Sequence, residues 1–201
     1  MTKKILVLFA HPALQRSLVN NELIKVFKNK ENVTFHDLYE TYPQMDIDVE
    51  DEKKLLISHD VITFMFPMYW YSTPAILKEW QDIVLEHDWA YGSKGNMLKD
   101  KLFFTILTTG GKSEAYKKDG YNSYTLREFL RSLEQMSKLC KMNFIPPYAA
   151  SGTHSITSSD LEEHKQNLEK LINELVSEKI RIEAANKFEL LNDYLESVKG
   201  H

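Results

Sequence analysis

The chain has 201 residues, of which 43% are hydrophobic and 27% are charged, which suits one compact globular domain, or one and a half. Its formal net charge of −4 at pH 7 argues against nucleic-acid binding, since domains that bind nucleic acid carry a basic excess. The single cysteine excludes an internal disulfide framework or a cysteine-based zinc cluster, and no apolar run approaches the roughly 18–20 residues of a membrane span, so we expect a soluble cytoplasmic protein.

Short apolar runs predict five strands along the first 150 residues. In chain order they are residues 5–10, residues 32–38 (an edge strand of alternating polarity), residues 61–66, residues 102–108 and residues 142–145. The continuous runs are typical of parallel strands that helices cover on both faces. Pro146 and Pro147 are predicted to end the last strand, because proline cannot donate to a sheet ladder.

Helix start signals separate these strands. Ser17, Asp48 and Thr73 each offer an N-terminal cap, and Pro74 suits the first position of the helix that follows it. A later helix is predicted from apolar residues at helical spacing, namely Leu126, Phe129, Leu130, Leu133 and Met136.

Residues 153–199 contain neither glycine nor proline and carry two apolar stripes at helical spacing. The first stripe is Leu161, Leu168, Leu171, Ile172 and Leu175, and the second is Ala184, Phe188, Leu191, Leu195 and Val198. The first is enough to cover the sheet, so the second either covers a neighbouring subunit or folds back as a separate helix. We therefore predict a domain of residues 1–176 followed by a C-terminal helical extension of residues 177–201.

Five strands joined by helical crossovers predict a doubly wound α/β sheet with helices on both faces. A ligand loop after the first strand favours the flavodoxin-like strand order 2-1-3-4-5. Ligands of such sheets bind at the carboxyl ends of the strands. Three loops are therefore candidates for a site, at residues 11–20, 67–73 and 108–122.

Several common sites are absent from these loops. No G-x-G-x-x-G follows the first strand and no G-x-S-x-G is present, which excludes a dinucleotide fingerprint and a hydrolase elbow. Gly111, Lys112 and Ser113 resemble the end of a phosphate-binding P-loop, but its earlier glycine would fall at Ile106, inside a strand. The seven histidines show no metal-ligand spacing, so no metal site is predicted.

The first loop ends at a helix N-terminus, where free backbone N–H groups favour a phosphate. His11, Arg16 and Ser17 can add side-chain donors. The alternative is a plain N-cap with solvated side chains.

The second loop contains three consecutive aromatic residues, Tyr69, Trp70 and Tyr71. They suit a platform for a flat, partly apolar ligand, and equally a hydrophobic plug or a subunit contact. In the third loop Gly110 and Gly111 permit close approach of a ligand to the backbone, or form a simple turn.

Five motifs occur together in chain order. They are Ala10-His11-Pro12, Ser17 with Asn20, the run from Phe66 to Pro74 with Leu77, Lys78 and Trp80, the run from Trp89 to Gly92, and the run from Thr108 to Gly111. Over about residues 4–175 the chain resembles the flavodoxin-like NAD(P)H:quinone oxidoreductases. The resemblance is strongest to the bacterial branch that includes general stress protein 14 and the ancillary oxidoreductases of potassium efflux systems.

This resemblance implies a bound flavin, FMN as in the bacterial branch, with FAD of the animal enzymes as the alternative. It assigns flavin binding to His11, Ser17, Leu18, Val19, Asn20, Pro67, Met68, Tyr69, Trp70, Tyr71, Thr108, Thr109, Gly110, Gly111 and Tyr116. The first group of these holds the phosphate, the aromatic loop lines one side of the ring, and the threonine-glycine loop follows its pyrimidine edge.

The resemblance also implies a ping-pong reaction. NADPH or NADH gives a hydride to the flavin and leaves, and a quinone then takes the same place and receives the hydride; nitro and azo compounds are alternative acceptors. The family forms homodimers with the active site at the interface, which makes Trp89, Tyr91, Pro147 and Tyr148 candidate walls of the substrate pocket.

Two candidate catalytic residues, Tyr116 and Asn122, depart in part from the family pattern. Tyr116 matches a tyrosine assigned to a proton relay, whereas Asn122 occupies the position of the relay histidine. An amide cannot relay protons as an imidazole does, so water or Tyr121 must substitute for it. The alternative function is a flavin-bound regulatory partner of a potassium efflux transporter, and a one-electron flavodoxin fits poorly because −4 is a mild charge.

Overall fold

The computed structural model describes residues 2–199. Met1, Gly200 and His201, which the predicted domains include at their ends, lie outside the described residues. The strands are β1 (Ile5–Phe9), β2 (Val33–Asp37), β3 (Val61–Pro67), β4 (Leu102–Thr108), β5 (Asn143–Phe144) and β6 (Tyr148–Ala150). All pairings are parallel in the order β2-β1-β3-β4-β5, with β6 also paired to β4, which confirms the predicted fold and strand order.

Helices cover both faces of this sheet. They are α1 (Leu18–Leu23), α2 (Leu38–Thr41), α3 (Val49–Ser58), α4 (Ala75–Val84), α5 (Leu126–Phe129), α6 (Arg131–Leu139), α7 (Ser158–Val176), α8 (Ile182–Ala185) and α9 (Leu191–Ser197). One core forms between the sheet and helices α2 to α6, and the other between the sheet and α1, α7 and α9. Within residues 2–199, none of the helices combines the length and the apolar character that a membrane crossing needs.

The two prolines follow the end of β5, as predicted, but β5 is not the last strand of the sheet. Ile145 still donates its N–H to the carbonyl of Phe103 at 3.0 Å, and after the two prolines the chain rejoins β4 as β6, with Ala149 opposite Leu107. The prolines interrupt the ladder because they lack an N–H, but β4 is long enough to pair with the chain on both sides of them.

Two helix boundaries also differ from the prediction. Pro74, rather than Thr73, occupies the N-cap of α4, and its carbonyl accepts the N–H of Leu77 at 3.1 Å. The helix predicted around residues 126–136 is divided at Leu130 into α5 and α6. Of the two alternatives predicted for the second apolar stripe, folding back is the one observed, although as two short helices, α8 and α9, which bury Leu191 and Leu195 completely.

A buried carboxylate joins the elements on one face of the sheet. Glu52 of α3 is fully buried and accepts hydrogen bonds from the hydroxyl of Tyr42 and the indole N–H of Trp80, both at 2.7 Å. The imidazole Nε2 of His36 lies 2.6 Å from the same carboxylate. Trp80, part of the third family motif, is thus fixed by a polar anchor as well as by packing.

Candidate functional site

A cleft of about 780 Å³ opens at the carboxyl ends of β1, β3, β4 and β6. The loops that follow these strands line it with His11, Ala13, Arg16, Ser17, Leu18, Val19, Asn20, Pro67, Met68, Tyr69, Trp70, Thr108, Gly110, Thr153 and His154. The three loops chosen from the sequence therefore meet in one cleft. The fourth, after β6, was not predicted.

Ser17 is the N-cap of α1, and its hydroxyl hydrogen is available to a ligand. Its Oγ accepts the backbone N–H of Asn20 at 3.2 Å and the side-chain amide of Asn20 at 3.0 Å. Both interactions use oxygen lone pairs, and the hydroxyl hydrogen has no acceptor among the described residues. Ser17 can therefore donate this hydrogen to a ligand in the cleft.

Asn20 connects the first loop to the third and has an unused acceptor. Its Nδ2 also donates to the hydroxyl of Thr108 at 3.1 Å. The side chain is buried, and its Oδ1 has no hydrogen-bond partner within residues 2–199. A buried oxygen of this kind normally has a donor, and a ligand hydroxyl in the cleft can supply one.

His11 presents a neutral donor to the cleft. The ring is 5% exposed, and its Nδ1 accepts the N–H of Ala13 at 3.1 Å. Burial lowers the pKa of His11 below its ordinary value. The neutral ring therefore carries its proton on Nε2, because Nδ1 is already an acceptor.

The charge of the cleft is opposite to that of the whole chain. Its lining includes the guanidinium of Arg16, and no Asp or Glu occurs among the lining residues. The whole chain carries −4. This distribution favours an anionic ligand such as a phosphate.

The aromatic loop is held in a tight turn. Tyr69 and Ser72 form an antiparallel bridge, and Trp70 and Tyr71 between them have positive φ angles of 50° and 62°. Left-handed conformations cost L-residues roughly 1–2 kcal/mol each, and such strain is concentrated at functional sites. The turn leaves the Trp70 side chain 93% exposed at the mouth of the cleft.

Tyr71 points away from the cleft, contrary to its predicted place beside the flavin ring. Its ring stacks on Phe129 at 4.8 Å, and its hydroxyl donates to Oδ1 of Asn122 at 3.1 Å. Tyr116 packs edge-on against the same Phe129 at 6.3 Å. Tyr71, Tyr116 and Asn122 thus form a cluster next to the cleft instead of lining it.

The fourth loop lies against the third. Thr153 donates its N–H to the carbonyl of Thr109 at 3.0 Å, and Gly152 donates to Gly111 at 2.8 Å. A Cβ on Gly110 would lie 2.5 Å from Nε2 of His154, so only glycine leaves room for the imidazole there. Thr109 and Gly111, predicted as flavin contacts, support this loop from outside the cleft lining.

The four predicted substrate-pocket residues do not line this cleft. Tyr148 is fully buried in β6, where its hydroxyl lies 2.8 Å from Nδ1 of His164, and burial raises its pKa. Pro147 is buried beside it, so the structure contradicts a wall role for both. Trp89 and Tyr91 lie half-buried on the loop between α4 and β4, and their role at a subunit interface stays a prediction.

Sequence reasoning missed Thr153 and His154 because it ended the last strand at the prolines. Alanines 149 and 150 after Pro147 were the available signal, since a strand continued there would have placed its carboxyl end at residues 151–154. Across residues 2–199 no group of His, Cys, Asp and Glu side chains is arranged to hold a metal ion.

Comparison with known proteins finds relatives that match along most of their own length and most of this chain. The ancillary protein KefG of the glutathione-regulated potassium-efflux system of Cronobacter sakazakii is 42% identical over 84% of this chain and 92% of its own. The structure of general stress protein 14 of Treponema denticola in complex with FMN is 31% identical, with a TM-score of 0.78 over 87% of this chain and 98% of that one. An NADPH-quinone reductase from P. pentosaceus is 29% identical, with a TM-score of 0.75 over 86% and 97% of the two chains.

A protein-family model described as the flavodoxin-like fold matches residues 3–172. It spans every strand of the sheet and all four loops of the cleft. This chain therefore belongs to the flavodoxin-like fold family.

Proposed function

We propose that the protein is a flavin-dependent NAD(P)H oxidoreductase that reduces quinones in a two-electron, ping-pong cycle, with FMN as its cofactor. The observation that carries the proposal is the cleft itself. Among the described residues, it combines a free Ser17 hydroxyl hydrogen, an unpartnered buried Asn20 oxygen and a lining that contains Arg16 but no carboxylate with an aromatic turn at its mouth. A flat heteroaromatic ligand that carries a hydroxylated chain and a phosphate satisfies all of these groups.

The residues divide between the two ends of such a ligand. His11, Ser17 and Arg16 offer donors to the phosphate, and Oδ1 of Asn20 accepts from a hydroxyl of the ribityl chain. The backbone of residues 67–70 and 108–110 would border the ring. A flavin held there would supply the redox chemistry, the transfer of a hydride between a nicotinamide and an acceptor.

The relatives support the same proposal. General stress protein 14 of Treponema denticola was solved with FMN, and the P. pentosaceus protein is an NADPH-quinone reductase. We infer FMN as the cofactor, and leave NADPH and NADH as alternative donors.

Tyr116 is the proposed proton donor next to the cleft. It lies against Gly111, where a Cβ would come within 3.4 Å of its hydroxyl. Asn122 accepts from Tyr71 and holds the aromatic turn, a role that needs no proton transfer. The exposed Trp70 and the outer face of this cluster are the proposed contact with a second subunit in a homodimer.

The test is steady-state turnover of the FMN-loaded protein with NADPH or NADH and a series of soluble quinones. The proposal predicts nicotinamide oxidation that depends on the quinone, with parallel lines in double-reciprocal plots. Saturating FMN without any quinone-dependent oxidation would contradict it.

A second candidate is a regulatory partner of a potassium efflux transporter. The 42% identity to KefG, an ancillary protein of such a system, favours it. Co-purification with a transporter under mild extraction is its expected signature, and a flavin-bound protein that turns over quinones but never co-purifies would count against it.

A further inference from the structure

The segment after α7 lies outside the residues that the family model matches, which end at 172. We call residues 177–199 the C-terminal segment. Its last helix, α9, packs on the free edge of β6 and buries Leu191, Tyr194 and Leu195. The segment therefore covers a sheet edge that would otherwise present unpaired backbone groups.

One side chain completes that edge. Oδ1 of Asn192 accepts the N–H of Ala149 at 2.9 Å, and Nδ2 of Asn192 donates to the carbonyl of Ala149 at 2.9 Å. The N–H of Leu191 adds a bond to the carbonyl of Pro147 at 2.8 Å. The carboxamide of Asn192 thus takes the place of a peptide group in a further strand.

The strand held in this way leads directly to the cleft. β6 has three residues, with two prolines before it, so few backbone bonds of its own fix it. Its last residue, Ala150, accepts the N–H of Thr109 at 3.1 Å, and Thr109 in turn accepts from Thr153 at 3.0 Å. The next residue, His154, lies against Gly110 in the cleft lining.

We propose that Asn192 is a positioning residue for the cleft. By hydrogen-bonding to the outer edge of β6, Asn192 of the C-terminal segment fixes residues 152–154 against the loop at residues 108–111. This inference rests on the proposed function where it takes the ligand to be a flavin. It assigns the segment a role at the ring end of the cleft. The phosphate end is built by the loop after β1, and among the described residues the side chain of Asn192 makes its hydrogen bonds to Ala149 and none to that loop.

The test compares Asn192→Asp with Asn186→Asp. Aspartate at position 192 keeps the size and one acceptor but loses the donor to Ala149, and a carboxylate then faces that carbonyl. Asn186 is exposed on the same segment, and its side chain makes no hydrogen bond with other described residues. Both variants add one negative charge, so charge alone cannot separate them.

The first readout is hydrogen exchange of the amides of Thr109, Gly152 and Thr153, measured without any flavin. We expect exchange to rise by about tenfold in Asn192→Asp, the effect of losing one hydrogen bond, and to stay unchanged in Asn186→Asp. Unchanged exchange at all three amides in Asn192→Asp would overturn the inference. This readout stands even if the protein binds no flavin, in which case the proposed function fails separately.

The second readout is the Kd of FMN and of riboflavin at unchanged binding stoichiometry. A positioning role at the ring end predicts that Asn192→Asp weakens both ligands by the same factor, about five- to tenfold. Weakening of FMN alone would place the effect at the phosphate end and overturn the inference. A general loss of folded protein would lower the stoichiometry and leave the Kd unchanged, and this outcome would also overturn it.

Discussion

Replacement of Ser17 by alanine separates the two roles of this residue, capping α1 and donating to a ligand. The hydroxyl accepts two bonds from Asn20, and its hydrogen has no acceptor within residues 2–199. A hydrogen bond to a charged group contributes about 1.5–3 kcal/mol, which corresponds to roughly 10- to 150-fold in affinity. We expect the Kd of FMN to rise by that factor in Ser17→Ala, and the Kd of riboflavin, which lacks the phosphate, to change by less than about threefold.

Ser17→Ala also removes the N-cap of α1, which should lower the free energy of unfolding by about 1 kcal/mol. Asp48 provides the matched control, because it caps α3 through the N–H of Asp51 at 3.0 Å and lies outside the cleft lining. Asp48→Ala should lose similar stability in urea unfolding while FMN affinity stays unchanged. Equal weakening of FMN and riboflavin in Ser17→Ala, or an unchanged FMN affinity, would refute the assignment of Ser17 to the phosphate.

Three further predictions concern stability, turnover and pH. Glu52→Ala leaves buried donors unpaired and should lower the free energy of unfolding by about 3–5 kcal/mol; a loss below about 1 kcal/mol in urea titration would contradict the role of the buried carboxylate. Tyr116→Phe should lower kcat by about 10²-fold or more while the FMN Kd stays constant, whereas Asn122→Ala should change kcat by much less; the reverse order in steady-state assays would assign the proton transfer to the amide. Burial lowers the pKa of His11 and of His59, so the unfolded chain binds more protons below about pH 6.5. The free energy of unfolding should therefore fall from pH 7 to pH 5, and a constant or rising value would show that these rings are not buried as neutral groups.

Local sequence signals predicted the sheet because each buried strand reads as an uninterrupted apolar run. Residues 61–66 and 102–108 need no tertiary information, since helices cover both of their faces. The short β6 carries no such signal, because three residues after two prolines form a strand only where β4 already offers a free edge. Tertiary packing also determines that the second apolar stripe forms two helices, α8 and α9. The sequence between them contains neither glycine nor proline, so it gives no local signal for this break.

The sequence predicts the part of the cleft that is formed by the loops at the carboxyl ends of the predicted strands. The loops after β1, β3 and β4 meet as the doubly wound topology requires, and His11, Ser17 and Asn20 lie together. The direction of a side chain within a turn was not predictable. Tyr71 follows two aromatic neighbours that line the cleft, but its own ring stacks on Phe129 instead.

The burial of Tyr148 has a similar origin. Along β6 the side chains alternate between the two faces of the sheet, and that of Tyr148 falls on the face that α7 covers. An aromatic residue beside two prolines resembles a surface loop in sequence, and only the pairing with Ile106 shows otherwise.

Flavin binding in the cleft is tested by the absorbance spectrum of the freshly purified protein, followed by titration with FMN and release of any bound chromophore. We expect the spectrum of an oxidised flavin at one FMN per chain, which bleaches when NADPH or NADH is added without oxygen. A colourless protein that also takes up neither FMN nor FAD would contradict this expectation and leave the cleft without its proposed ligand.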